Sequence, residues 1–384
     1  MRYNLNISPK RRNFVGIQNS RTTNSIGLTL LPVRTGYEKV IPYRVSPLYA
    51  AMAEDDGVVT TVTKNVVVVK YKSGKEIRYP LGKRFGKWQG KVIPHELITE
   101  LKTGDKFTEG TAITYNPLFF QYDWVAGALS YKQGLLARVA LVETPDTLED
   151  GSAMSFRLAK KLDTYIVHSR DIPIDFTQEV KDLIKVGTEV EYETLLCTLL
   201  DTLTTASNER LFTGESREIL ADISSINPKA ETKGKVVAIE AIYCGDPDDM
   251  SESLRDIVEK CDREKSNAAR EQGKPRQDGS VNAGFRVDGL TVSLNTCIIR
   301  VRIECLQDMG NGSKIVNAHQ MKSVTGRIWE EDQVTESGQI IDEFFGYQSL
   351  QNRVVNSPEL MGTTNNLMFA ATQAVIKAYR GNKT

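Results

Sequence analysis

The chain has 384 residues, 40% of them hydrophobic, which is enough apolar content to bury two or three cores. No apolar run nears the ~18 residues of a membrane span and no signal-peptide core opens the chain, so a soluble, non-membrane protein is expected. The net charge is zero, the five cysteines lack paired spacing and only three histidines occur, which argues against disulfides and zinc and for reduced cytosolic thiols.

That zero is unevenly spread. Residues 1–91 hold 17 Lys or Arg against 5 Asp or Glu, a net +12, so the rest of the chain carries −12. Residues 1–45 are basic and irregular, punctuated by Ser8-Pro9 and Ile41-Pro42, and are expected to form an arm. From Gly57 to Tyr79 the pattern is strand-like, with Val66-Val67-Val68-Val69 before a Lys72-Ser73-Gly74-Lys75 turn and a return strand. Positions 64–91 carry nine basic residues against Glu76 alone. Phe85 and Trp88 interleave with these cations, as aromatics do on nucleic-acid surfaces. Lys83, Arg84 and Lys87 are therefore candidate phosphate contacts without base specificity. The competing reading of the block is a solvated strand face.

Turns follow at Gly104-Asp105 and Glu109-Gly110. Ala153 to Leu162 shows helical spacing through Met154, Leu158 and Leu162. Residues 163–246 read as short strands and turns. Ser251 to Gln272 is the clearest helix: Ser251 can cap it, and Leu254, Ile257, Val258 and Cys261 form a narrow apolar stripe. Gly273–Gly289 reads as a loop, Leu290–Leu306 as strand, and Thr364–Arg380 as a final helix closed by Gly381. Asp55-Asp56-Gly57 and Asp246-Pro247-Asp248-Asp249 are acidic turns without the alternate spacing that aims three carboxylates at one Mg²⁺. No glycine-rich phosphate or dinucleotide loop is present.

The most informative segment is Gly312-Ser313-Lys314-Ile315-Val316-Asn317-Ala318-His319-Gln320-Met321-Lys322. Two lysines eight residues apart on a turn-rich loop suit the grip of a polyphosphate, because each ammonium is a compact, donor-rich charge. The segment resembles the lysine loop of the beta subunit of multisubunit RNA polymerases, which reads Gly-Asp-Lys, four residues, then His-Gly-x-Lys-Gly. Here the family's arginine before the histidine is Ala318, and its two glycines are Gln320 and Ser323.

Further landmarks fall upstream in the family's order. Tyr79-Pro80-Leu81-Gly82-Lys83-Arg84-Phe85-Gly86-Lys87-Trp88-Gln89, followed by Lys102 to Gly110, resembles a basic run and a Gly-Asp turn. Leu135 to Glu143, then Leu148-Glu149-Asp150-Gly151-Ser152-Ala153-Met154-Ser155, resembles an apolar strand and a Tyr-Glu-Asp-Ala-Ile-Leu-Ile-Ser segment. Ile184-Lys185-Val186-Gly187-Thr188-Glu189-Val190 resembles the turn before the family's flap insertion. Arg353 is similar to an arginine that contacts the nucleotide triphosphate.

The resemblance implies a fold that is mainly β with some α, a double-psi β-barrel with an inserted flap-like (sandwich-barrel hybrid) module. It divides the chain into a basic arm (1–45), a beta-subunit core with the first part of the barrel (46–169), a flap-like insertion (170–290), the second part of the barrel with the lysine loop (291–360), and a C-terminal docking helix (361–384). It implies catalytic roles for Lys314, Lys322, Glu149 and Asp150 beside substrate contacts from His319 and Arg353. His319 reads first as a loop brace. The chain is similar to the C-terminal part of a split beta subunit, as in large bacteriophage polymerases. The implied partners are beta N-terminal-like and beta-prime-like subunits, DNA template, RNA and NTPs. Mg²⁺ would be held mainly by the beta-prime-like partner, which carries the Asn-Ala-Asp-Phe-Asp-Gly-Asp motif absent here, so the chain is not active alone. The implied location is the cytoplasm of an infected bacterium, or the virion. The alternative is a non-catalytic phage nucleic-acid-binding or virion protein that keeps a polymerase-like barrel.

Overall fold

The computed structural model of the chain describes residues 13–381, except 15, 19–20, 24, 33–35, 89, 202–225 and 354–355. Residues 1–12 of the expected arm, the last three of the C-terminal segment and the side chain of Trp88 lie outside the described residues. The fold is mainly β, 39% strand against 23% helix, so pairing between strands sets the architecture.

Strands β1 (Gly57–Val62), β2 (Val66–Tyr71) and β3 (Glu76–Pro80) form an antiparallel meander. The four valines of β2 are all buried, as expected for a continuous apolar run in a central strand. The Lys72–Lys75 turn closes β2 onto β3 with Gly74 at φ +84, a conformation in which a side chain is strained. Strands β4 (Gly82–Trp88) and β5 (Lys91–Leu97) then leave this sheet, while β6 (Lys106–Phe107) returns to pair with β1.

Strands β7 (Val139–Leu141) and β8 (Gly151–Ser155) precede helix α1 (Phe156–Lys161). The helix expected from Ala153 is therefore corrected: its first three residues are strand. Ala153 and Met154 are buried in a parallel ladder opposite Arg327 and Ile328, so sheet pairing overrides the helical spacing. Ser155 caps α1 by accepting the Leu158 N–H at 3.2 Å.

Strands β9 (Thr164–Asp175), β10 (Glu189–Val190) and β11 (Gly234–Cys244), helix α2 (Glu252–Glu271) and strand β12 (Thr296–Gln307) follow. With β4 and β5 they make a six-stranded sheet in the order β10-β11-β12-β9-β5-β4. Helix α2 matches its expected span, capped by Ser251. Leu254 (0% exposed) and Val258 (1%) sink into the core formed by Ile172, Leu196, Val236 and Ile299. The α2 stripe thus packs within the chain itself.

The last strands are β13 (Lys314–Asn317), β14 (Met321–Trp329) and β15 (Glu343–Phe345), followed by α3 (Tyr347–Asn352) and α4 (Ser357–Gly381). Helix α4 starts seven residues before the expected Thr364. These strands join β7 and β8 in a mixed five-stranded sheet, β7-β15-β8-β14-β13. Segments before residue 160 thus interleave with segments after residue 295. None of the sheets among the described residues closes into a barrel. All five cysteines are free, and no helix among the described residues is long and apolar enough to cross a membrane.

Candidate active site: the lysine hairpin

The lysine segment is a β-hairpin. β13 and β14 pair antiparallel with Lys314 opposite Val324 and Val316 opposite Lys322. Cross-strand partners share a face, and so do residues two apart on one strand. Lys314 and Lys322 are consequently diagonal neighbours on one face, with α-carbons about 7–8 Å apart. Both are exposed, and no ion pair of either ammonium occurs among the described residues. The same alternation turns Met321, Ser323 and Thr325 inward.

The tip is a tight turn. Gln320 N–H donates to the Asn317 carbonyl at 3.1 Å, with Ala318 at φ 49 and His319 at φ 61. Two consecutive positive φ values are the signature of a type I′ turn, whose twist matches a hairpin and which normally uses Asn-Gly. Placing Ala and His there costs on the order of 1 kcal/mol per residue, so surrounding contacts must hold the turn. Gln320, 3% exposed, donates from Nε2 to Ser357 Oγ at the start of α4, 2.7 Å away. Asn317 Nδ2 donates to Glu343 Oε1 at 2.6 Å. His319 is engaged within the fold, its Cε1 4.0 Å from where a β-carbon on Gly134 would sit.

Glu343 is 2% exposed, and burial pushes its carboxyl up to about 7, opposed by the Asn317 hydrogen bond and reinforced by Asp342. The folded value exceeds the ordinary 4.5, so the neutral form carries the stability. That contribution is complete below pH 4.5 and is lost as pH rises through 7. On the order of 3 kcal/mol is at stake. Glu343→Gln, which keeps an acceptor for Asn317, is expected to be more stable than the parent at pH 8. It should also have a flatter stability profile between pH 4.5 and 8 in denaturant titrations. Parallel profiles for the two proteins would refute this placement of the charge.

The paired acids precede β8, the strand that pairs with β14. Glu149 and Asp150 are exposed on the turn leading into β8, with Glu149 at φ 53. The Asp150 carbonyl accepts the Val324 N–H at 2.9 Å and the Ser323 hydroxyl at 2.8 Å, fastening the acidic turn to the strand that carries Lys322. The Asp150 carboxylate pairs with Arg353, whose guanidinium also donates to the Lys322 carbonyl at 3.3 Å and lies 6.0 Å over the Phe345 ring. The Arg353 side chain is only 13% exposed, against 67% for Asp150. The Asp150 turn, Arg353 and the backbone of the strand that carries Lys322, spread over two hundred residues of chain, are therefore tied together, and Lys314 joins them through the pairing of β13 with β14. Glu149 adjoins them with its carboxylate facing solvent. Glutamine and serine at the family's two glycine positions look like erosion in the sequence, yet Gln320 and Ser323 brace the hairpin. No local signal reveals that role, since their partners Ser357 and Asp150 are distant in sequence.

The basic run lies elsewhere, on β4 of the six-stranded sheet. Lys83 binds Glu304 at 2.7 Å and Lys87 binds Asp288 at 2.9 Å, holding the Asp288 carboxyl below the usual carboxylate range. Arg84 donates to the Leu81 and Asn65 carbonyls, and burial lowers its pKa. Arg302 lies 4.9 Å over the Phe85 ring. Lys83 and Lys87 tie β4 to β12 and to the Asp288 turn, while Arg84 ties it to the turn between β1 and β2. Among the described residues no group of three or more His, Cys, Asp or Glu side chains is placed to hold a metal ion. No protein-family model matches the chain, and no curated protein matches it.

Proposed function

We propose that the chain is one subunit of a multisubunit DNA-dependent RNA polymerase, supplying the beta-side cations that face the RNA 3′ end and the incoming NTP. One observation carries this reading: Lys314 and Lys322 share one face of a hairpin whose strand β14 is braced by Asp150 and Arg353. The order of the upstream landmarks supports it.

In nucleotidyl transfer the RNA 3′-hydroxyl attacks the α-phosphorus and pyrophosphate leaves, so negative charge accumulates on the phosphate oxygens. Two ammonium groups on one rigid face stabilise that charge where it develops, and a preorganised cation at such a position is worth roughly 10²–10³ in rate. Lysine suits a phosphate that shifts as RNA translocates, because a point charge tolerates changes in angle. The Asp150–Arg353 pair acts as a positioning element, tying the acidic turn, β14 and α3 together. Glu149 is the acid left to order water on a Mg²⁺ held mainly by a beta-prime-like partner. The chain works only within a complex, with a beta N-terminal-like piece, DNA template and RNA, in the cytoplasm of an infected bacterium or packaged in a virion. In this reading the mixed five-stranded sheet is the core of a double-psi β-barrel, and residues 170–290 are its flap-like insertion.

Periodate-oxidised ATP bound to the assembled complex provides a chemical test. Its dialdehyde condenses with a nearby amine, and borohydride fixes the product. The label is expected on Lys314 or Lys322, read by peptide mapping and displaced by excess NTP. Labelling confined to other lysines contradicts the proposal.

A further inference from the structure

Strand β14 carries a β-bulge. It pairs in parallel with β8, Thr325 opposite Ser152 and then Arg327 opposite Ala153, so Gly326 is an extra residue with no partner in that ladder. An extra residue reverses the alternation of a strand. Met321, Ser323 and Thr325 are buried, and in an unbroken strand Arg327 would follow them inward. Beyond the bulge Ile328 joins the interior instead, packed with Met154, and Arg327 turns outward with its side chain 66% exposed. Trp329, which ends the strand, is covered by the Phe344 ring at 4.7 Å. The bulge thereby puts Arg327 on the face that holds Lys314 and Lys322.

Register sets the spacing of the three cations. Lys314 stands opposite Val324, with Lys322 two residues to one side. Arg327 stands on the other side, in the place that residue 326 would take in a regular ladder. Lys322 and Arg327 are thus four ladder steps apart, roughly 13 Å along the strand, with Lys314 beside the midpoint. Among the described residues the one ion pair of Arg327 is with Asp146, at 3.6 Å and with the acid's side chain 37% exposed. Two glycines seat the turn that brings this acid in. A β-carbon at Gly151 would lie 2.8 Å from the Asp146 carbonyl oxygen, and one at Gly326 would lie 3.4 Å from it. A long, hydrated ion pair is readily exchanged for another anion.

We propose that Arg327 is a third cation of the lysine surface, and that Lys314, Lys322 and Arg327 together track the phosphates of a single nucleic-acid strand. Asp146 is the counter-ion that Arg327 leaves when the strand binds. A stacked strand carries one phosphate about every 3.4 Å of its axis, so several fall within the span of the three cations. The phosphorus atoms of one nucleoside triphosphate share bridging oxygens and make a more compact charge. Arg327 adds a planar fork that can hold two oxygens of one phosphate, beside two point charges that follow a moving backbone. Of the nearby acids, Asp150 is already held by Arg353, which leaves Glu149 and Asp146 as the charges the strand must pass. The inference rests on the proposed function only in taking the lysine face as a phosphate-binding surface.

The test measures binding of a short fluorescein-labelled oligothymidylate to the full-length chain by anisotropy, across a series of salt concentrations. Each cation in contact with a single strand adds roughly 0.7 to the slope of log affinity against log salt, and contributions from cations elsewhere cancel between variants. Arg327→Ala is expected to lower the slope by about 0.7, and Lys314→Ala with Lys322→Ala by about 1.4. Arg327→Lys should keep the parental slope, and Asp146→Asn should tighten binding about threefold by removing the competing acid. All of these side chains are open to solvent, so the melting temperature should not change. An unchanged slope in Arg327→Ala beside a lowered one in the lysine variant would overturn the third cation and leave the lysine reading standing. An unchanged slope in the lysine variant, or no binding by the parent chain, would overturn both. If Arg327→Ala alters only the displacement of the strand by inorganic tripolyphosphate, Arg327 serves a nucleotide, and the proposal fails.

Discussion

Replacing both Lys314 and Lys322 with alanine is expected to slow nucleotide addition by the assembled complex at least 10²–10³-fold, while leaving the melting temperature of the chain unchanged. The expected separation of activity from stability follows from the geometry. Neither lysine is buried and neither holds an acid of its own chain among the described residues, so alanine removes no ion pair within the fold. What is lost is positive charge at the point where phosphate charge grows. Single substitutions should each retain part of the rate, because the remaining lysine is a diagonal neighbour on the same face, its α-carbon about 7–8 Å away. Arginine at either position keeps charge but brings a planar fork, so it should restore binding better than turnover. A double variant that elongates at the parental rate would remove the catalytic role of this hairpin.

Phe345→Ala should be the most damaging single change to the site's framework, costing about 3–5 kcal/mol of stability in denaturant unfolding. Phe345 is fully buried and packs with Met321 at the hairpin tip and Leu350 of α3. Its ring lies under the Arg353 guanidinium, and its backbone carbonyl accepts the Val142 N–H at 3.0 Å. Removing the ring leaves a cavity at the junction of β15, β14 and α3, from which the lysine hairpin and Arg353 are both hung. Activity should therefore fall although every charged group remains. Phe345→Leu, which refills most of the space, should cost roughly 1 kcal/mol. A loss below 1 kcal/mol for the alanine variant would mean that this junction does not hold the hairpin.

Legibility in the sequence followed the range of the interactions. Helix α2 could be read because its cap Ser251 and its stripe Leu254, Ile257, Val258 and Cys261 lie within three turns. The Lys72–Lys75 turn could be read because Gly74 alone meets its backbone demand. The segment at Met154 could not, since its strand pairing depends on Ile328, 174 residues away in the chain. The lysine pair was visible as a spacing, but the shared face depends on register, which a one-residue slip would undo. The ion pairs of Lys83 and Lys87 could not be read either, because their acids, Glu304 and Asp288, lie some two hundred residues downstream. The Asp150–Arg353 contact and the braces from Gln320 and Ser323 are long-range in the same way. Separately, each of these residues has an unremarkable sequence setting.

The most direct test of the polymerase assignment is to tag this chain, recover it from the cells that make it and identify its companions by mass spectrometry. A co-purifying protein with an Asp-x-Asp-x-Asp motif, together with a second beta-like piece, is the predicted result. Recovery of the chain alone, or with capsid proteins only, would contradict it and leave the lysine hairpin in need of a different ligand.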